Sequence, residues 1–274
     1  MKPLCFLLLL LFAAVTPLMG AVPQQAYFDL MGEADRAIAD NRLDDAEQTL
    51  ICAIEMERGN PSNVLLMSNL GMVRFMMGKD SLAVTTLDAA HSLAPRSTTV
   101  LRNRAQVLSA IGELDRARAD YALLIDLDST AVTPRFHRGF IALRQGDMAQ
   151  AVADFSRLRE MAPDTLETHL AWGVLDMTLG QFDDAAREYT AVLKKEAHAG
   201  YYAERAFCYL MTDRLGEAAD DIASGLSLDP MDADLYLYRS LLNKARYRID
   251  DSKADARKAL DLGADPERVK ELLR

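Results

Sequence analysis

The stretch TPRFHRGFIALRQGDMAQAVADFSRLREMAP, residues 133–163, decides how the rest of the chain is read. Two apolar sets lie in it at helical spacing: Phe136, Phe140 and Leu143, then Ala151, Phe155 and Leu158. Members recur at i, i+4 and i+7, which puts each set on one face of a helix. Between them stand Arg144, Gln145, Gly146 and Asp147. Glycine readily takes the left-handed conformation that ends a helix, and aspartate caps the next one. Pro134 suits a first helical turn, and Pro163, with no N–H to donate, stops the second helix. The stretch therefore predicts an antiparallel helix pair.

Working outward, the same pair recurs along most of the chain. Ala83, Ala117, Ala151 and Ala185 are evenly spaced, Ala218 and Ser252 continue the series, and Ala46 precedes it. A second series stands twelve residues earlier: Ala34, Gly71, Ala105, Gly139, Gly173, Ala206 and Ser240. Small side chains at matched places on two helices let their backbones approach closely. The turn series is Asn41, Gly78, Gly112, Gly146, Gly180, Asp213 and Tyr247. All but Tyr247 are residue types that tolerate positive φ. Four residues after the alanine come Leu50, Leu87, Tyr121, Phe155, Tyr189 and Ile222, and the pattern decays to Ala256.

A 34-residue helix-turn-helix period with these small, turn and aromatic positions resembles the tetratricopeptide repeat. Seven units begin near 27, 64, 98, 132, 166, 199 and 233 and fill residues 27–265, with a C-terminal capping helix over 266–274. The first unit is three residues longer, around Gly59, Asn60, Pro61 and Ser62. The resemblance implies an all-α, right-handed superhelical solenoid whose first helices line a concave groove. Cys52 and Cys208 fall on units one and six, too far apart in a solenoid to bridge, so both are expected as separate buried thiols.

Residues 1–21 read as an export signal. Lys2 is followed by an apolar run from Leu4 to Val15 and by small residues, with cleavage after Gly20 or Ala21. That run is well short of the ~20 residues a spanning helix needs. The expected location is therefore periplasmic or secreted, without a membrane span once the signal is removed. The formal charge of −10 becomes one more negative on losing Lys2. So acidic a chain repels nucleic acid and anionic membrane surfaces.

Two repeat positions vary together. Arg104, Arg138, Arg205 and Arg239 precede the first small position in four units, and Asp120, Asp154, Asp221 and Asp255 follow them by sixteen residues. Unit two has Leu70 and Thr86 there, and unit five has Trp172 and Glu188. A guanidinium can take a carboxylate bidentately across two helices, so four structural ion pairs are expected.

Catalytic and metal patterns are missing from the sequence. The four histidines show no zinc-protease spacing, and no cysteine pair has metal-ligand spacing. Asp229, Asp232 and Asp234 lack the glycine and glutamate of a calcium loop and read as helix caps. The pairs Asp44-Asp45, Asp183-Asp184, Asp220-Asp221 and Asp250-Asp251 read as first-turn acids that favour the helix dipole. No cofactor is expected, and the chain reads as a non-enzyme.

If the resemblance holds, three offsets of each first helix face the groove. The first gives Met31, Ser68, Arg102, Phe136, Leu170, Ala203 and Leu237. The second gives Asp35, Met72, Gln106, Phe140, Val174, Phe207 and Leu241, and the third Ile38, Phe75, Ser109, Leu143, Met177, Leu210 and Lys244. The lysine and asparagine with which one well-known groove of the family clamps a carboxylate are absent from the first two offsets. The candidate partner-binding residues are Phe136, Phe140, Leu143, Leu170, Val174, Met177, Phe207 and Leu210, with Arg102 and Gln106 as polar neighbours. An apolar groove suits a peptide or amphipathic helix. The same face would equally serve a self-associating scaffold (a homo-oligomer) or pack as ordinary core, and an enzyme with a cryptic site is the remote third class.

Overall fold

The computed structural model describes residues 22–273, so the expected signal lies outside the described residues. Helices alternate with tight turns. The chain divides into two compact units, one ending at Ile141 and the other beginning at Ala142. The first holds the hairpins α1 (Val22–Ala39) with α2 (Leu43–Met56), α3 (Asn63–Met76) with α4 (Asp80–Leu93), and α5 (Thr98–Ala110) with α6 (Leu114–Leu127). Helix α7 (Val132–Arg144) carries the division, and α8 (Met148–Met161) opens the second unit. There follow α9 (Leu166–Thr178) with α10 (Phe182–Lys195), α11 (Ala199–Met211) with α12 (Leu215–Leu228), α13 (Ala233–Ala245) with α14 (Ile249–Asp261), and α15 (Pro266–Leu273).

The turns between paired helices share one backbone device. Asn41, Gly78, Gly112, Gly146, Gly180, Asp213 and Tyr247 all have positive φ, between 55° and 89°. Tyr247 takes φ 59° although its side chain disfavours that region, and it projects into solvent at 90 % exposure. Position in the repeat overrides residue preference there. Asp147 caps α8 by accepting from Gln150 N at 3.1 Å, and Ala162 ends that helix just before Pro163. Asp232 caps α13 through Leu235 N at 3.0 Å, while Asp229 accepts from Met231 N at 2.8 Å. The acid pairs occupy the first turns of α2, α10 and α14. Asp220-Asp221 does not: it lies a turn further along α12, whose first-turn acid is Glu217. Asp221 is instead spent on an ion pair, described below.

Packing follows the small positions. Ala34, Ala46, Ala83, Ala105, Ala117, Ala185, Ala206 and Ala218 are completely buried. At Gly71 a Cβ would stand 2.5 Å from the Leu87 side chain, itself fully buried, so only glycine fits between α3 and α4. Around these contacts each unit builds its own core, for example Leu50, Leu66 and Val73 in the first and Leu235, Leu242 and Ile222 in the second. Helix α15 packs on α13 and α14 and buries Val269 and Leu272 in that second core.

The longer first connection is held by a buried amide. Asn63 donates to Glu57 O at 2.6 Å, and its Oδ1 accepts from Tyr27 OH at 2.9 Å, which ties α1 to the start of α3. The cysteines require a correction. Cys208 is a free, buried thiol, pushed up to about 12 first by burial and then by nearby Glu204. Cys52 does not pair with it, as the repeat spacing predicts, but Cys52 is only half-buried and is disulfide-bonded rather than free.

Candidate partner-binding face

The first helices carry the candidate residues, and their exposure sorts them. In the first compact unit Arg102 and Gln106 are exposed on α5, while Phe136 and Phe140 are half-buried on α7 with ring centroids 4.7 Å apart. In the second, Leu143, Leu170, Val174, Met177, Phe207 and Leu210 are all half-buried. Leu170, Met177 and Leu210 rest on a core that includes Tyr189 and Cys208. Phe207 stands edge-on to Phe182 at 5.8 Å and 5.3 Å from Tyr238 of the next first helix. Three residues assigned to the same offsets do not reach the surface: Ser68, Ala203 and Leu237 are buried. Ser68 accepts from Asn103 Nδ2 at 3.0 Å, and the other two belong to the inter-helix core.

The arginine–aspartate positions that lie within one compact unit form bidentate pairs. Arg104 Nε and Nη2 donate to Asp120 at 2.8 and 2.6 Å, Arg205 to Asp221 at 2.8 and 2.7 Å, and Arg239 to Asp255 at 2.9 and 2.6 Å. Each joins the first and second helix of one hairpin. The spare donors and lone pairs are also used: Arg104 reaches Asp88, Arg205 reaches Thr190 Oγ1, and Asn243 donates to Asp255. Hydrogen bonding to Asp221 raises Arg205 above the usual arginine range, and Asp255 does the same to Arg239. The fourth couple falls on either side of the division between units. Arg138 is half-buried on α7, and Asp154 is buried on α8, where it accepts from Gln150 Nε2 at 3.1 Å.

The two departing hairpins use other residues, which the periodicity does not reveal. Around Leu70 and Thr86, Arg74 lies one turn further along the helix, donating to Thr86 Oγ1 at 2.6 Å and to buried Glu47 at 2.8 Å. Lys79 donates to the other Glu47 oxygen at 2.5 Å. Burial pushes the Glu47 carboxyl up, but Lys79 and Arg74 together hold it below the usual range. Around Trp172 and Glu188, the guanidinium comes from α8: Arg159 stacks 3.6 Å above the Trp172 ring and donates to Glu188 at 2.5 Å. His169 Nδ1 is 2.7 Å from the second Glu188 oxygen, and Trp172 Nε1 donates to Phe155 O at 3.1 Å.

Repeated helical hairpins, braced internally and presenting half-buried apolar side chains, define an all-α helical-repeat solenoid. In sequence and fold the chain is similar to tetratricopeptide-repeat proteins. The family's model, described as tetratricopeptide repeat, matches residues 102–165 and 170–233. A TPR repeat-containing protein of Pseudomonas aeruginosa is 30 % identical over 169 residues, which cover 60 % of this chain and 65 % of that relative. The chain thus spans just under two thirds of that relative's length. A tetratricopeptide repeat protein from Parabacteroides merdae superposes with a TM-score of 0.75 at 26 % identity, covering 91 % of this chain and 98 % of that one. PilW, a type IV pilus biogenesis factor, shares the fold at a TM-score of 0.66 and 17 % identity, over 77 % of this chain and 98 % of its own. Proteins of this family are generally non-catalytic scaffolds, and the fold suggests protein–protein interaction. Among the described residues no helix is long and apolar enough to cross a membrane.

Proposed function

We propose that this chain is an exported, non-catalytic adaptor that binds a protein or peptide partner on the first-helix faces of its compact units, in the periplasm or outside the cell. The observation that carries the reading is the intermediate burial of Phe136, Phe140, Leu143, Leu170, Val174, Met177, Phe207 and Leu210. They are neither sealed in the core nor replaced by the polar residues that a solvated face would carry. A partner side chain that finished burying such a position would gain about 1.5–3 kcal/mol before ordering costs. Export is supported by the N-terminal pattern of a single lysine, a short apolar run and small residues.

Cross-linking pulldown from the native envelope, with wild-type chain and a Phe140→Glu, Leu170→Glu double variant, tests the site. The wild type should retain a partner that the variant loses. Equal capture by both would remove this face as the binding site. Light scattering on the same samples should give a monomer at all concentrations, whereas a mass rising with concentration would favour a self-associating scaffold.

A further inference from the structure

Between α1 and α3, within the first compact unit, lies a pocket of ≈ 230 Å³ lined by Asp35, Ile38, Asn69, Met72, Val73 and Met76. It is smaller than the ~300 Å³ at which small-molecule sites begin, and is the right size for one side chain of a larger partner. Its lining has two parts. Ile38, Met72, Val73 and Met76 make an apolar trough, with Val73 buried at the bottom and Met76 exposed at the rim. Asp35 and Asn69 supply the polar end, and neither side chain makes a hydrogen bond or ion pair to any other described residue. The carboxylates of Asp120, Asp221, Asp255 and Glu47 are each answered by a cation of this chain, whereas that of Asp35 stands exposed at the mouth of the trough. An unengaged carboxylate beside an apolar trough is the arrangement that accepts a long aliphatic stem ending in a cation.

We propose that this pocket receives a lysine side chain of a protein partner, its stem lying over Ile38, Met72 and Met76 and its ammonium on Asp35. Asn69 then offers its amide to the partner's backbone. A leucine or methionine of the partner would fill the trough but leave Asp35 unanswered, and a glutamate would meet it with like charge. The net charge of −10 favours a basic partner in the same sense. This inference names the chemistry of one anchor point on the face assigned above, and so rests on that reading.

The test is selection of a random-peptide phage library on the full chain, alongside Asp35→Asn, Asp35→Lys and the Phe140→Glu, Leu170→Glu double variant. Asp35 is exposed, so its substitutions leave the fold intact, which circular dichroism checks. Wild-type selection should enrich peptides with a lysine flanked by apolar residues. Their binding should weaken about tenfold in Asp35→Asn, the size expected for losing one charge-assisted hydrogen bond. In Asp35→Lys, selection should turn toward acidic peptides. On methyl-labelled chain, a selected peptide should shift the Met72 and Met76 signals. Peptides that depend on Phe140 and Leu170 but show no lysine preference and no response to Asp35 would overturn the pocket while sparing the face. Failure of every chain to enrich any sequence would overturn both.

Discussion

Arg205 and Asp221 show most directly how single residues hold this molecule. The arginine side chain is 16 % and the aspartate side chain 6 % exposed, and two parallel hydrogen bonds join them. Removing either side chain strands its partner, so Arg205→Ala and Asp221→Ala should each cost about 3 kcal/mol, read from urea denaturation. A double variant less damaged than the sum would establish the coupling, and strictly additive losses would refute it. Tyr247 is the opposite case, an unhelpful residue that its repeat position forces into the left-handed region. Tyr247→Gly should raise stability by about 1 kcal/mol, and an unchanged or lower melting temperature would contradict that. Glu204 also works against the fold. Burial first, and Asp234 second, raise its pKa in the native state, so the native state holds that proton more tightly than the unfolded chain does. Its contribution is therefore favourable at low pH and is lost as pH rises through the native value. Glu204→Gln should stabilise the protein at pH 7.5, with the gain disappearing toward pH 3. A gain independent of pH would assign the effect to something other than charge.

At the scale of the element, the helices were legible because their period, turn residue and small positions all repeat. The turn series identifies every residue that links paired helices with positive φ, including Tyr247. The arginine–aspartate spacing points to partners on facing helices, and three of those couples meet bidentately. Substitutes that enter from a different register were not legible. Arg74 reaches Thr86 from one turn further along α3, and Arg159 reaches Glu188 from the preceding hairpin. The disulfide state of Cys52 escaped for a related reason, since repeat spacing speaks only to its distance from Cys208. On the candidate face, offsets alone could not separate Ala203 and Leu237, which are buried, from Phe207 and Leu210. That depends on how closely neighbouring first helices approach. Helix α15 also earns its place by burial, with Val269 and Leu272 in the core and Arg268 bonded to Asp234 and Tyr238. A chain ending at residue 264 should lose about 3 kcal/mol, the value of two buried aliphatic side chains at a partly open end. A melting curve unmoved by the truncation would show that α15 does not cap the stack.

For the whole molecule, stability is distributed among hairpins that contact chiefly their sequence neighbours. The two compact units and the single tryptophan, Trp172 in α9, make this measurable. Urea unfolding followed by Trp172 fluorescence should have a different midpoint from the same transition followed by far-UV circular dichroism. Coincident curves would mean that the chain unfolds as one cooperative body. The bidentate braces have a consequence for how such a chain can change length. Because Arg104, Arg205 and Arg239 each find their aspartate inside their own hairpin, a duplication or deletion of a whole hairpin carries both charges with it. Glu188 is differently placed, since its arginine comes from the hairpin before. Loss of that preceding hairpin would leave Glu188 without its guanidinium and with only the His169 ring beside it, so the lineage of this chain should tolerate changes in repeat number elsewhere more readily than at that junction.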